Sequence, residues 1–186
     1  VFLDETGLSQ QPVRVRTWAP RGQTPVLIEP FNWKKLSAII AISTDPRVFF
    51  ELVPGSVTGL RVLCFLVDLL REFDRPIVVL WDGAPIHRTG DLHDFLRRPD
   101  VARHLEVHRF PPYAPELNPK ELFNANLKAR RLANFAPETL GELDTFARKE
   151  IRAIGRNRGL VRSFLLSSRH GLFTEQDLVK LSFDGH

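Results

Sequence analysis

Pro76-Ile77-Val78-Val79-Leu80-Trp81-Asp82-Gly83 reads as a β-strand together with its end. The unbroken apolar run, rich in β-branched residues and without alternation, fits a central strand covered on both faces. Asp82-Gly83 stops it abruptly. Immediately upstream, residues 58–73 carry Leu60, Leu63, Leu66, Val67, Leu70 and Phe73 on nearly every side, which predicts a well-buried helix with Cys64 packed inside it. A helix feeding a buried strand is a crossover, so a parallel pair is expected near the sheet centre.

Downstream, residues 91–98 read as a short helix and residues 105–110 as another strand. Pro111-Pro112-Tyr113-Ala114-Pro115 reads as a rigid extended connector. Asn118-Pro119 opens a helix to about Asn134, and residues 137–154 and 160–167 supply two more. Towards the start, residues 1–5 read as the end of a strand. Residues 13–18 and 25–28 read as a hairpin through Ala19-Pro20-Arg21-Gly22, and residues 36–42 and 47–53 as two β-rich runs joined by Ser43-Thr44-Asp45-Pro46. Strands first, then alternating strands and helices, then a helical tail make this an α/β domain with a mixed sheet, one domain over residues 1–186. Trp18, Trp33 and Trp81 are assigned to packing.

With 43% hydrophobic and 26% charged residues, the composition is that of a folding globular chain, which excludes a disordered or fibrous protein. The single cysteine excludes an intrachain disulfide and a cysteine-based zinc site, and fits a reducing, cytoplasmic setting. The longest apolar stretches are interrupted by charge too soon to cross a bilayer, so no membrane partner is expected. The net charge of +4 is a weak argument for a polyanionic partner; its distribution is a better one. From residue 120 onward the basic side chains, beginning with Lys120, Lys128, Arg130 and Arg131, outnumber the acidic ones. Val1-Phe2-Leu3 already reads as strand interior and the chain contains no methionine, so a fragment lacking its natural N-terminal part is expected.

The chemistry centres on a repeated arrangement. Asp4 ends the apolar run Val1-Phe2-Leu3 and Asp82 ends the run through Trp81. If these strands are parallel neighbours, both carboxylates emerge at the sheet edge where open α/β sheets bind ligands. Two such acids repel, and so share a proton or hold cations. Each alone is also a common turn or cap residue. Glu121 has a competing local role, because Asn118-Pro119-Lys120-Glu121 is a good capping box. A carboxylate there is also favoured by the helix dipole, so cap and metal roles can coexist. His87 is a candidate for orienting a phosphate or moving a proton, against the plainer reading of a local hydrogen-bonding residue.

These pieces resemble one family. Phe2-Leu3-Asp4-Glu5-Thr6, residues 16–25 (Arg-Thr-Trp-Ala-Pro-Arg-Gly-Gln-Thr-Pro), residues 80–88 (Leu-Trp-Asp-Gly-Ala-Pro-Ile-His-Arg) and residues 111–121 (Pro-Pro-Tyr-Ala-Pro-Glu-Leu-Asn-Pro-Lys-Glu), continued by Leu127-Lys128 and Leu132-Ala133-Asn134, are similar to the catalytic domain of the insertion-sequence-630 transposases, bacterial relatives of mariner. Two positions depart from that pattern: Lys120 stands where the family is usually apolar, and Phe123 where it commonly has tryptophan.

The resemblance implies a ribonuclease-H-like fold, a mixed five-stranded sheet flanked by helices with a helical basic C-terminus. It also implies a DDE triad of catalytic, metal-binding carboxylates that falls on Asp4, Asp82 and Glu121, with Glu5, His87 and Asn118 as auxiliary candidates. The expected cofactors are two divalent cations, Mg2+ with Mn2+ able to substitute. The expected partners are DNA, as terminal inverted repeats and a TA target, and a second copy in a homodimer. An N-terminal DNA-binding domain is expected outside this chain. Lys120, Lys128, Arg130 and Arg131 are the expected DNA contacts. The alternatives are a related metal-dependent nuclease and a transposase-derived DNA-binding protein whose triad lies idle.

Overall fold

A computed structural model describes residues 1–28, 34–111 and 117–167. A five-stranded sheet runs in the order β3-β2-β1-β4-β5. Its strands are β1 (Phe2–Ser9), β2 (Lys35–Ile42), β3 (Val48–Pro54), β4 (Ile77–Trp81) and β5 (Leu105–Arg109). The first three form an antiparallel meander, and β4 joins β1 and β5 in parallel, as the crossover argument required.

Strand alternation sends Phe2, Ile40 and Ile42 to one face and Leu3, Ile39 and Ala41 to the other. The first face packs on α4 (Pro119–Asn126), α5 (Leu140–Arg156) and α6 (Arg158–Leu166). The second packs on α1 (Gly59–Arg71), α2 (Gly90–Arg97) and the short α3 (Pro99–Ala102). A π-helical segment, Leu127–Arg131, extends α4 and ends before Asn134, where the sequence placed the helix end.

Several expectations are corrected. α1 is amphipathic rather than buried all round: Val62, Phe65, Leu66 and Leu69 face the sheet, while Leu60 and Cys64 are exposed. β4 is covered fully on one face only, since Val78 is 45% exposed beyond the reach of α4 to α6. Residues 13–18 and 25–28 form no ladder. Val15 instead exchanges two 2.9 Å hydrogen bonds with the side chain of Asn134, and the Asn134 N–H donates to the Val13 carbonyl at 3.0 Å. Asn134 sits at φ 56°, a left-handed conformation asparagine tolerates. Trp18 is fully exposed, not packed, whereas Trp81 is buried. Trp33 and most of the proline-rich connector lie outside the described residues.

α1 can approach α2 closely only because of Gly59: a Cβ there would stand 2.3 Å from the Thr89 hydroxyl oxygen.

Candidate functional site: a carboxylate cluster at the sheet edge

In the parallel pair, Phe2 lies opposite Leu80. Two residues further along each chain stand Asp4 and Asp82: Asp82 lies just past the end of β4, whereas Asp4 is inside β1, which does not end at residue 5 as expected but continues to Ser9 paired with β2. By alternation, both belong to the side on which α4 packs.

Asp4 is buried at 8% exposure, and both of its oxygens are engaged. The Glu5 N–H donates to Oδ1 at 2.8 Å, and the Lys120 Nζ lies 3.3 Å from Oδ2. Burial raises the Asp4 pKa above its ordinary value; Lys120 opposes this, and the charges of Glu5 and Asp82 add to the rise. Lys120 is itself fully buried, and burial depresses its pKa against the opposing pull of Asp4, Glu5 and Glu121.

Helical spacing explains how a lysine comes to be inside. Lys120, Phe123, Asn124 and Leu127 are the buried stripe of α4, at positions i, i+3, i+4 and i+7. Glu121, one residue on, points away from the core and is exposed. The N-cap is Asn118, but its side chain accepts from the Lys120 N–H at 3.1 Å, and the Glu121 N–H donates to the Asn118 carbonyl at 3.0 Å. Among the described residues, the Glu121 carboxylate returns no hydrogen bond to Asn118 and has no other such partner. The reciprocal half of the expected capping box is therefore not formed.

Asp82 is placed by its own loop. Its Oδ1 accepts the Ala84 N–H at 2.9 Å, an Asx-type turn, and Pro85 then opens a single 3-10 turn, Pro85–Arg88. That turn swings His87 back until its ring stacks on Trp81, with centroids 4.3 Å apart. The buried ring has Nε2 3.1 Å from a Glu5 carboxylate oxygen, and Nδ1 3.1 Å from both the Asp82 carbonyl and Asp82 Oδ1. Burial alone would lower its pKa, but Glu5 and Asp82 outweigh it and the pKa is raised. Ligand atoms of Glu5, Asp82 and His87 all lie within 4.8 Å of one another.

The Glu5–His87 pairing was not read from the sequence, where the two were separate auxiliary candidates. Strand parity puts Glu5 on the face opposite Asp4, so the two halves of the cluster approach Asp82 from opposite sides of the sheet. Lys120 requires a correction. Expected as a DNA contact, it is buried with its ammonium on Asp4, so it belongs to the carboxylate cluster and not to a DNA-facing surface.

The family model for DDE superfamily endonucleases matches residues 1–144. The chain belongs to that family. The matched span contains Asp4, Asp82 and Glu121 and leaves residues 145–186 beyond it. Among solved structures, this chain has the fold of the Mos1 mariner transposase catalytic domain, at TM-score 0.60 and 17% identity over 99% of this chain and 81% of that one. Two Mos1 mariner paired end complexes, one with Mg and one with Mn, match at TM-scores of 0.67 and 0.66, with 19% and 21% identity. This chain spans 55% of the length of the Mos1 chain in each of those complexes. A search of curated protein sequences finds no match.

Some of the basic excess in this chain is neutralised internally. Arg148 pairs with Asp144 at 2.6 Å and Arg131 with Glu150 at 3.4 Å. Arg130 is exposed and Lys128 partly so, on the π-helical segment that continues α4. No helix among the described residues is long and apolar enough to cross a membrane.

Proposed function

We propose that this chain is the catalytic domain of a transposase, cutting DNA at transposon ends and joining the freed 3'-hydroxyl to target DNA, with Asp4, Asp82 and Glu121 as its metal-binding carboxylates. The observation that carries this reading is the β1–β4 register, which sets Asp4, within β1, level with Asp82, just past the end of β4, on the side of the sheet where α4 carries the exposed Glu121. Family membership and the Mos1-like fold support it.

The donor set suits hard divalent cations such as Mg2+ and Mn2+, which favour carboxylate oxygen. The carboxylates of Asp4, Glu5 and Glu121 each favour the charge of the Lys120 head beside Asp4, against the cost of its burial, so the charges of the cluster are those that attract a cation. Bound there, two such ions would supply Lewis-acid polarisation of the scissile phosphate and neutralise developing charge. Asp4, Asp82 and Glu121 would hold them. The Ala84 N–H fixes one Asp82 oxygen, and Glu5 locks the His87 ring against Trp81. His87 thereby positions Asp82 from the side opposite α4. Lys128 and Arg130 would contact the DNA backbone.

In the first reaction water attacks the phosphodiester phosphorus and the bond to the 3'-oxygen breaks, leaving a 3'-hydroxyl and a 5'-phosphate. In the second, that hydroxyl attacks a target phosphorus and displaces the target's 3'-oxygen. No covalent enzyme intermediate is required. The resemblance to mariner relatives extends the proposal to terminal inverted repeats, a TA target, a homodimer and a bacterial cytoplasmic setting, with an N-terminal DNA-binding domain in the complete protein.

The test is cleavage and strand transfer on end-sequence DNA with Mn2+, using a protein that carries its DNA-binding region. Asp4→Ala, Asp82→Ala and Glu121→Ala are each expected to abolish both steps. Retained cleavage in any one removes that residue from the triad, and cleavage without strand transfer by the parent protein would make it a nuclease. A second reading, an idle triad in a DNA-binding protein, draws on the Lys120–Asp4 ion pair. Salt-sensitive DNA binding without Mn2+ affinity would favour it.

A further inference from the structure

We infer that Lys120 is a tethered cation that competes with a divalent ion for Asp4, so that metal engages Oδ2 of this carboxylate only by displacing the lysine. The inference rests on the metal-binding reading of the cluster and deepens it. Three observations carry it.

First, both Asp4 oxygens are engaged: Oδ1 takes the Glu5 N–H at 2.8 Å and Oδ2 faces the Lys120 ammonium at 3.3 Å. A cation arriving at Oδ2 would meet the ammonium at a range where like charges repel strongly in a low-dielectric site. Second, Lys120 is fully buried, yet its Nζ has no well-formed hydrogen bond among the described residues. Charge and burial hold it there, not a network of acceptors, so a doubly charged competitor has little to break besides the ion pair. Third, Lys120 and Glu121 are consecutive residues in the first turn of α4, one facing Asp4 and the other outward. Displacing the lysine disturbs the turn that carries the third carboxylate, which couples metal entry at Asp4 to the placing of Glu121.

The experiment is a calorimetric titration of Mn2+ into the parent chain, Lys120→Met, and the double variant Asp4→Asn/Lys120→Met. Lys120→Met keeps the length and apolar body of the side chain and removes the competing charge. It is expected to bind Mn2+ about tenfold or more tightly than the parent. Its metal-free melting temperature should fall, and Mn2+ should raise that temperature by more than it does in the parent. In the double variant the affinity gain should vanish, because it acts through Asp4; a gain that persists overturns the proposal. Equal or weaker Mn2+ binding by Lys120→Met overturns it too, while leaving the metal site standing. If neither the parent nor Lys120→Met binds Mn2+, the metal-binding reading fails and this inference with it. Should Lys120→Met not fold, Lys120→Gln, which keeps a polar head, reads the same comparison with the same outcomes.

Discussion

His87 shows how a single side chain ties this cluster together, since it touches Glu5 and Asp82 while lying flat on Trp81. Its folded-state pKa lies above the ordinary 6.5, so the fold favours the protonated ring. That contribution is complete below pH 6.5 and is lost as pH rises through the folded value. Metal-free melting temperature should therefore fall across this window in the parent chain, and thermal melts should show a smaller fall in His87→Asn and Glu5→Gln. Asp4 acts in the same direction at lower pH: its pKa is raised, so stability declines as pH rises from 3.8 through the folded value. At this scale Asp4 and Asp82 were legible because a carboxylate ending an apolar run is visible in one dimension. Lys120 was also signalled, since it shares a helical stripe with Phe123 and Leu127. A lysine's charge argues for the surface, and the partner that compensates its burial, Asp4, lies 116 residues away in the chain.

At the scale of elements, periodicity served where burial is one-sided and misled where hydrogen bonding crosses the chain. The strands β2 to β5 and the helices α1, α2, α4, α5 and α6 stand close to their expected places because each carries its own apolar pattern, while β1 runs on past Glu5 to Ser9 on its pairing with β2. The hairpin expected through residues 19–22 does not form a ladder, because residues 13–15 bond to Asn134, and no local pattern reveals so distant a partner. Asn134→Ala should release this clip, costing about 1 kcal/mol and raising amide hydrogen exchange at Val15. Unchanged protection there would show that the clip is held by other contacts. Gly59 makes a similar demand on α1: with the Thr89 hydroxyl oxygen 2.3 Å from any added Cβ, Gly59→Ala forces the α1–α2 contact apart. Urea denaturation should show a loss of about 1–3 kcal/mol, despite alanine's better helix propensity.

Across the whole molecule, the sheet separates two apolar cores, and the carboxylate cluster sits at its edge, supplied by α4 from one side and by the Pro85–Arg88 turn from the other. Each half of the site is thereby anchored in a different core. The exposed cations of the π-helical segment continue the helix that bears Glu121, so DNA lying along them would run towards the cluster. Lys128→Ala and Arg130→Ala should each weaken DNA binding without changing sequence preference, and each should reduce the salt dependence of log Kd by about one unit. An unaltered salt slope would place the DNA path elsewhere. Whether Asp4, Asp82 and Glu121 form one metal site is tested most directly at Glu121, whose carboxylate has no hydrogen-bond partner among the described residues to confuse the result. Calorimetric titration of Mn2+ into the parent and Glu121→Gln should show a loss of affinity of about tenfold or more, with melting of the metal-free chain lowered only by the lost helix-dipole interaction; equal Mn2+ affinity in the two proteins would remove Glu121 from the metal site.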